Sequence, residues 1–335
     1  MGMKTAKNQV LPAPPSLTDS IRAGFDAIAG HVGLIAIPIV FDLFLWLGPH
    51  LSLERLLKGF LERVFSLQGM DAPEMTEVMD YAQGIWVIVA ERLNLFSFLR
   101  SYPVGVPSLM AANQPVLTPL GAPDFWDVES MVAVMGLIIL LTLAGLAIGS
   151  FFFIIVAQAS LYGEIRWREA FNRWPGTLTQ VLLLMLFWML IIFAISIPSS
   201  CFITAFSLGG FAVGQIGIFI LGGLILWLLF PLFFSGHGIF VYQIKMWESV
   251  RKSIRLTRMT LPKTALFFLI ILLVSEVLDI LWSTPKDDSW LILVGIAGHA
   301  LVTTGMLAAS FVYYRDADRW VDWVQRQAVL TSSTN

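Results

Sequence analysis

The stretch MVAVMGLIILLTLAGLAIGSFFFIIVAQ, residues 131–158, carries no charged side chain. A helix rising 1.5 Å per residue needs about 20 apolar residues to cross the ~30 Å hydrocarbon layer of a bilayer, and this run is longer than that. Five more runs read the same way: residues 30–48, 178–205, 216–242, 263–282 and 291–314. Lipid offers no water to backbone N–H and C=O groups, so each run must bond to itself as a helix. The chain is expected to be all-α, a polytopic membrane protein with six transmembrane helices. The composition agrees. Of 335 residues, 57% are hydrophobic and 13% charged, where a soluble globular protein carries about 25% charged.

Several function classes drop out. A net charge of −2 argues against a nucleic-acid partner, which would need a basic face to neutralise phosphate. The one cysteine, Cys201, lies in an apolar run. One thiol builds neither an internal disulfide nor a cysteine metal site. No HExxH or GxSxG motif is present, so no enzyme and no cofactor are expected. Residues 1–18 hold Pro12, Pro14 and Pro15 and read as a flexible tail. The first apolar run ends Leu47-Gly48-Pro49-His50 without a cleavage pattern, and is expected to be a retained span.

Lys and Arg counts set the orientation. Residues 1–29, 159–177 and 243–263 and the tail 315–335 carry three, three, six and three, fifteen together. The other side has six, five of them in 49–130 beside ten acids. Both termini are therefore expected in the cytoplasm of a cell that uses this chain in its plasma membrane, with 49–130 outside.

The basic segments resemble one another. Asp19-Ser20-Ile21, Glu169-Ala170-Phe171 and Glu248-Ser249-Val250 each place an acid, a small residue and an apolar residue before a basic helical stretch and a span. The acid suits the positive end of a helix dipole. The pattern predicts three helical-hairpin repeats, the first lengthened by the 49–130 insertion. In the third, Arg251, Lys252, Arg255 and Arg258 follow Trp247, and the helix reads as lying in the interface against lipid headgroups or as a plain positive-inside anchor.

These repeated motifs, with the closing Tyr313-Tyr314-Arg315-Asp316-Ala317-Asp318-Arg319, resemble uncharacterised prokaryotic six-span proteins grouped with the glycerophosphodiester phosphodiesterase membrane domain. In that group the membrane domain is not the catalytic part. The resemblance implies membrane anchoring or scaffolding, or lipid handling.

The insertion divides in three. Residues 51–67 place Leu53, Leu56, Leu57, Phe60 and Leu61 opposite Glu54, Arg55, Lys58 and Glu62, an amphipathic helix. Residues 74–100 read as a second, interrupted by Asp80, Gln83, Glu91, Arg92 and Asn94. From Tyr102 to Asp127 five prolines forbid a long helix, and a loop over the external mouth is expected.

Ionisable groups at membrane depth are costly and are paired or functional. Asp42 in the first span, Glu276 and Asp279 in the fifth and His299 in the sixth all fall in the outer half by helix rise. Structural pairing, a transport or binding pocket, and catalysis are the alternatives, weighed in that order. No metal is assigned. Pro38 and Pro198 can break their spans, Pro231 with Gly236 and Gly238 marks a kink beside His237, and Gly145 and Gly149 form a GxxxG contact face. The chain reads first as a non-enzymatic scaffold or accessory subunit packing with lipid, other membrane subunits or its own copies. A small transporter or lipid-handling permease is the alternative, and an intramembrane hydrolase comes third.

Overall fold

The computed structural model describes residues 14–67, 84–86, 89, 91–207 and 211–332. Most of the expected tail at 1–18 and about half of the second amphipathic helix expected at 74–100 lie outside these residues; the described part of that helix ends at Arg92, and Leu95–Leu99 form a 3-10 turn instead of its last turns. Five helices are long and apolar enough to cross a membrane, and six spans result if the bent first pair counts as one. The chain is an integral membrane protein.

The first span is not a straight helix. Helix α1 (Leu17–Gly30) and helix α2 (Ala36–Leu47) meet at 91° through a 3-10 turn at Val32–Ile35. Gly30 and Gly33 flank the corner, and Pro38 has no N–H to return to the carbonyl of Leu34. The Ser16 hydroxyl caps α1 by accepting the Asp19 N–H. Ser20, Gly24 and Ile28 form its buried stripe. A Cβ on Gly24 would stand 2.4 Å from the Ala309 nitrogen, so α1 packs on the backbone of the last helix instead of lying apart as an interfacial leader.

Strand β1 (His50–Ser52) then pairs in parallel with β2 (Phe125–Asp127), His50 opposite Phe125. Between them, α3 (Glu54–Leu67) follows the expected amphipathic helix closely. Leu53 and Leu56 pack against the Leu95, Val134 and Leu141 cluster, while Arg55 reaches Asp127 at 3.0 Å. A single helical turn, α4 (Met110–Asn113), comes before β2.

Helix α5 (Met131–Tyr162) and helix α6 (Trp167–Ser207) form the next hairpin. Pro198, which could break its span, leaves α6 continuous. Helix α7 (Phe211–Leu229) is followed by a 3-10 turn at Phe230–Leu232 and helix α8 (His237–Tyr242), which is the kink Pro231 signals. Helix α9 (Met246–Met259) covers that break: the Ser253 hydroxyl donates to the Pro231 carbonyl at 2.7 Å and the Ser249 hydroxyl to the Ser235 carbonyl at 2.6 Å. Acceptors freed by the irregular turn are thereby satisfied inside the protein. Helix α10 (Leu261–Trp282) and helix α11 (Ile292–Ser332) complete the chain.

The three acid–small–apolar motifs share one feature: Ser20, Ala170 and Ser249 are all buried. Their backbones differ. The first lies on a helix bent away from its span, the second begins an unbroken 41-residue helix, and the third sits on a helix separated from its span at Thr260. The structure does not make the three units alike.

Contacts sort the chain into two ends. Lys263 reaches the Pro14 carbonyl, Gln180 the Met246 N–H, and Lys252 Asp318. This is the basic end. At the opposite end Trp46 donates to the Asp287 carbonyl and Asn113 to Ser283. The main core runs between them through Phe152, Leu184, Trp188, Phe234, Phe267 and Phe311.

Candidate functional site

The segment expected to lie over the mouth enters the helical bundle instead. Residues 94–114 form a loop closed at its base, where the Asn94 N–H donates to Gln114 Oε1 at 3.2 Å and Asn94 Oδ1 accepts the Leu51 and Phe96 N–H groups. Its middle descends along α5. A Cβ on Gly145 would lie 2.2 Å from the Leu99 oxygen, and one on Gly149 2.7 Å from the Gly105 Cα. Gly149 is about 27 Å beyond Met131 by helix rise. Tyr102 packs edge-on to Trp188 of α6 with centroids 5.6 Å apart, and Val104 and Val106 join the main core. The GxxxG face therefore receives a loop.

Irregular backbone at this depth needs partners within the protein. Asp42 on α2 provides them. Its Oδ1 accepts the Ser108 hydroxyl at 2.5 Å and the Met110 N–H at 3.0 Å, and its Oδ2 accepts the Leu109 N–H at 3.1 Å. The last two amides lead into α4, where a helix leaves its first N–H groups unpaired. The carboxylate is completely buried, and the loop supplies donors to both of its oxygens.

His299 is the second element. Its Nδ1 lies 2.7 Å from Asp279 Oδ1, linking α11 to α10. With Nδ1 engaged by the carboxylate, Nε2 is the ring's other polar atom. That nitrogen is buried without a partner among the described residues. Asp42 is close enough to interact electrostatically with His299. Glu276 takes no part: it faces outward from α10, one turn before Asp279. Three of the four expected residues thus gather in this region, as one loop-bound carboxylate and one carboxylate–imidazole pair. Among the described residues no group of three or more His, Cys, Asp or Glu is placed to hold a metal ion.

Close by, His50 is packed edge-on to Phe125 and bonds to the Leu45 carbonyl at 3.2 Å. Burial pushes its imidazole below the ordinary value of 6.5. On the connection between α10 and α11, burial raises the Asp287 carboxyl, and Arg92 works against that shift. His237 bonds to Ser310 at 2.9 Å among Phe234, Phe311 and Tyr314, as a core histidine would.

At the basic end the four headgroup candidates divide. Lys252 Nζ lies 2.9 Å from Asp318 Oδ2, and Arg255 Nη2 lies 3.1 Å from Asp318 Oδ1 and 2.7 Å from Asp322 Oδ1. These two clamp α9 to α11. Arg251, stacked over Trp247, and Arg258 remain exposed. The Tyr313–Asp318 motif supplies the other half of the joint: Tyr313 stacks on Phe267 at 4.4 Å, and Ala317 and Asp318 are buried.

Sequence reasoning missed Ser108, Leu109 and Met110 as partners of Asp42. The available signal was apolar residues among prolines, Val104, Val106, Leu109 and Met110, which have no reason to sit in an exposed loop. Comparisons of the chain with protein-family models, with curated proteins and with solved structures find no match.

Proposed function

We propose that this chain is a non-enzymatic scaffold or accessory subunit of a prokaryotic plasma membrane, both ends cytoplasmic, packing with lipid, other membrane subunits or further copies of itself. The observation that carries the reading is the engagement of Asp42 by the chain's own loop. This fully buried carboxylate turns both oxygens to that loop and accepts three hydrogen bonds from it, a structural use of the charge. The exposed apolar faces support it as well, since the windows of α6, α7 and α10 that fit a bilayer are only 17%, 11% and 11% buried. The resemblance to the membrane domain grouped with glycerophosphodiester phosphodiesterases agrees, and in each acid–small–apolar motif the small residue is buried.

A transporter is the second reading, and one observation favours it. His299 keeps a buried Nε2 without a partner among the described residues, the first span is broken, and broken helices line substrate sites in transporters. Proteoliposomes loaded with a pH-sensitive dye separate the two. A scaffold gives no proton or cation flux above empty vesicles, and His299→Gln changes thermal stability alone. Flux that His299→Gln abolishes sinks the scaffold.

A further inference from the structure

At the basic end, α6 and the link between α8 and α9 enclose a cleft of about 320 Å³. Asn172, Arg173, Thr177, Gln180, Gln243 and Lys245 form its polar wall, and no carboxylate is among the lining residues. Local structure explains the convergence. Gln243 ends α8 in a left-handed conformation at φ 55°, which turns the chain back toward α6. Gln180 Oε1 accepts the Met246 N–H at 2.8 Å and ties the start of α9 to α6. With its oxygen accepting the Met246 N–H, Gln180 has its NH2 group available as a donor to the cleft. Arg173 is held by Glu169 one turn earlier on α6, and Lys245 is exposed with no ion pair among the described residues. With Arg173 already paired to Glu169, Lys245 carries the positive charge that is open to a ligand, and with the amide and hydroxyl groups around it matches a group of negatively charged oxygens. Trp247, two residues past Lys245, is exposed and packs edge-on to Phe187. Such an aromatic residue marks the headgroup level of a bilayer.

We propose that this cleft binds a phosphate group, supplied by an anionic lipid headgroup or by a soluble phosphate compound. Lys245 is the principal charge, and Gln180 and Asn172 direct the oxygens. The site is separate from Asp42 and His299 and stands independently of the scaffold reading.

The full chain in nanodiscs tests it. One set contains phosphatidylcholine with phosphatidylglycerol, and native mass spectrometry counts the lipid kept on release. The other contains phosphatidylcholine alone, and the thermal midpoint is followed as inorganic phosphate is added. Wild type is expected to keep phosphatidylglycerol in preference to phosphatidylcholine, and Lys245→Glu to weaken that preference by about fivefold or more. Lys245→Arg should restore it, and Lys286→Glu at the opposite end should behave as wild type. If phosphate instead raises the midpoint, and Lys245→Glu cancels the rise, the phosphate comes from solution. An unchanged midpoint in phosphatidylcholine alone confirms that Lys245→Glu is folded. Wild type and a folded Lys245→Glu that keep the same lipids and ignore phosphate alike overturn the site.

Discussion

A carboxylate in an apolar run announces that something must pair with it, and Asp42 is readable in the sequence to that extent. Its partners are not, because they lie 66 to 68 residues further on and are mostly backbone amides. Backbone donors leave no trace in residue identity. Asp42→Asn removes the charge and turns one acceptor into a donor facing an N–H or the Ser108 hydroxyl. We expect a loss of about 1–3 kcal/mol, since a buried donor is left without a partner, and a smaller loss for Ser108→Ala, which leaves both amides bonded. Thermal unfolding in detergent micelles measures both. The orphaned Nε2 of His299 is equally illegible, because the sequence gives its depth and not what faces it. His50 yields a pH prediction. Its folded value lies below the ordinary 6.5, so the unfolded chain takes up a proton more readily. Stability is complete above 6.5 and falls as pH drops from there through the lower folded value. Against His50→Gln, wild type should lose more stability between pH 7 and pH 5, and equal losses in the two proteins would remove His50 from the account.

Among the elements, spans two, three, five and six were legible from run length alone, since nothing but a helix satisfies its own backbone in lipid. The first span was legible as apolar and illegible as bent. The glycines at 30 and 33 and Pro38 permit a corner but do not require one, and the packing of Gly24 on Ala309 decides it. Prolines alone were poor guides: Pro198 lies within a continuous helix, while Pro231 breaks one. The inserted loop was misplaced because composition shows that 102–127 is irregular without showing where it goes. Its placement rests on the small residues of α5, which gives a direct test. A Leu at position 149 has no room beside Gly105, whose Cα would lie 2.7 Å from the new Cβ. Gly149→Leu should drive the loop from the bundle, at a cost of about 1–3 kcal/mol for overpacking. In a Cys201→Ser background, Val104→Cys should resist a water-soluble maleimide with Gly149 present and react with Leu there. Reaction at the same rate in both would place the loop elsewhere.

For the whole molecule, the two ends are built differently, and the difference bears on how it sits in a bilayer. The end holding Asp42 and His299 is closed by apolar contacts around Trp46, Met110 and Ile292 and by hydrogen bonds between neighbouring loops. The basic end is held by charge, with Asp318 buried between Lys252 and Arg255 while Arg251 and Arg258 stay outward. Removing the central anion should therefore be felt by the whole bundle. Asp318→Ala strands Lys252, whose side chain is only 23% exposed, while Arg255 keeps Asp322. We expect about 1–3 kcal/mol of destabilisation, less than for a fully buried pair because water still reaches Lys252. Adding Lys252→Ala should recover part of the loss, since the stranded charge disappears with it, and a strictly additive double variant would mean the pair is not coupled. The positive-inside rule predicts that this basic end faces the cytoplasm. In intact cells with Cys201→Ser, an impermeant maleimide should label Asp288→Cys and spare Arg258→Cys until the membrane is opened. The reverse pattern would invert the chain and put the charged clamp, and the phosphate cleft beside it, outside the cell.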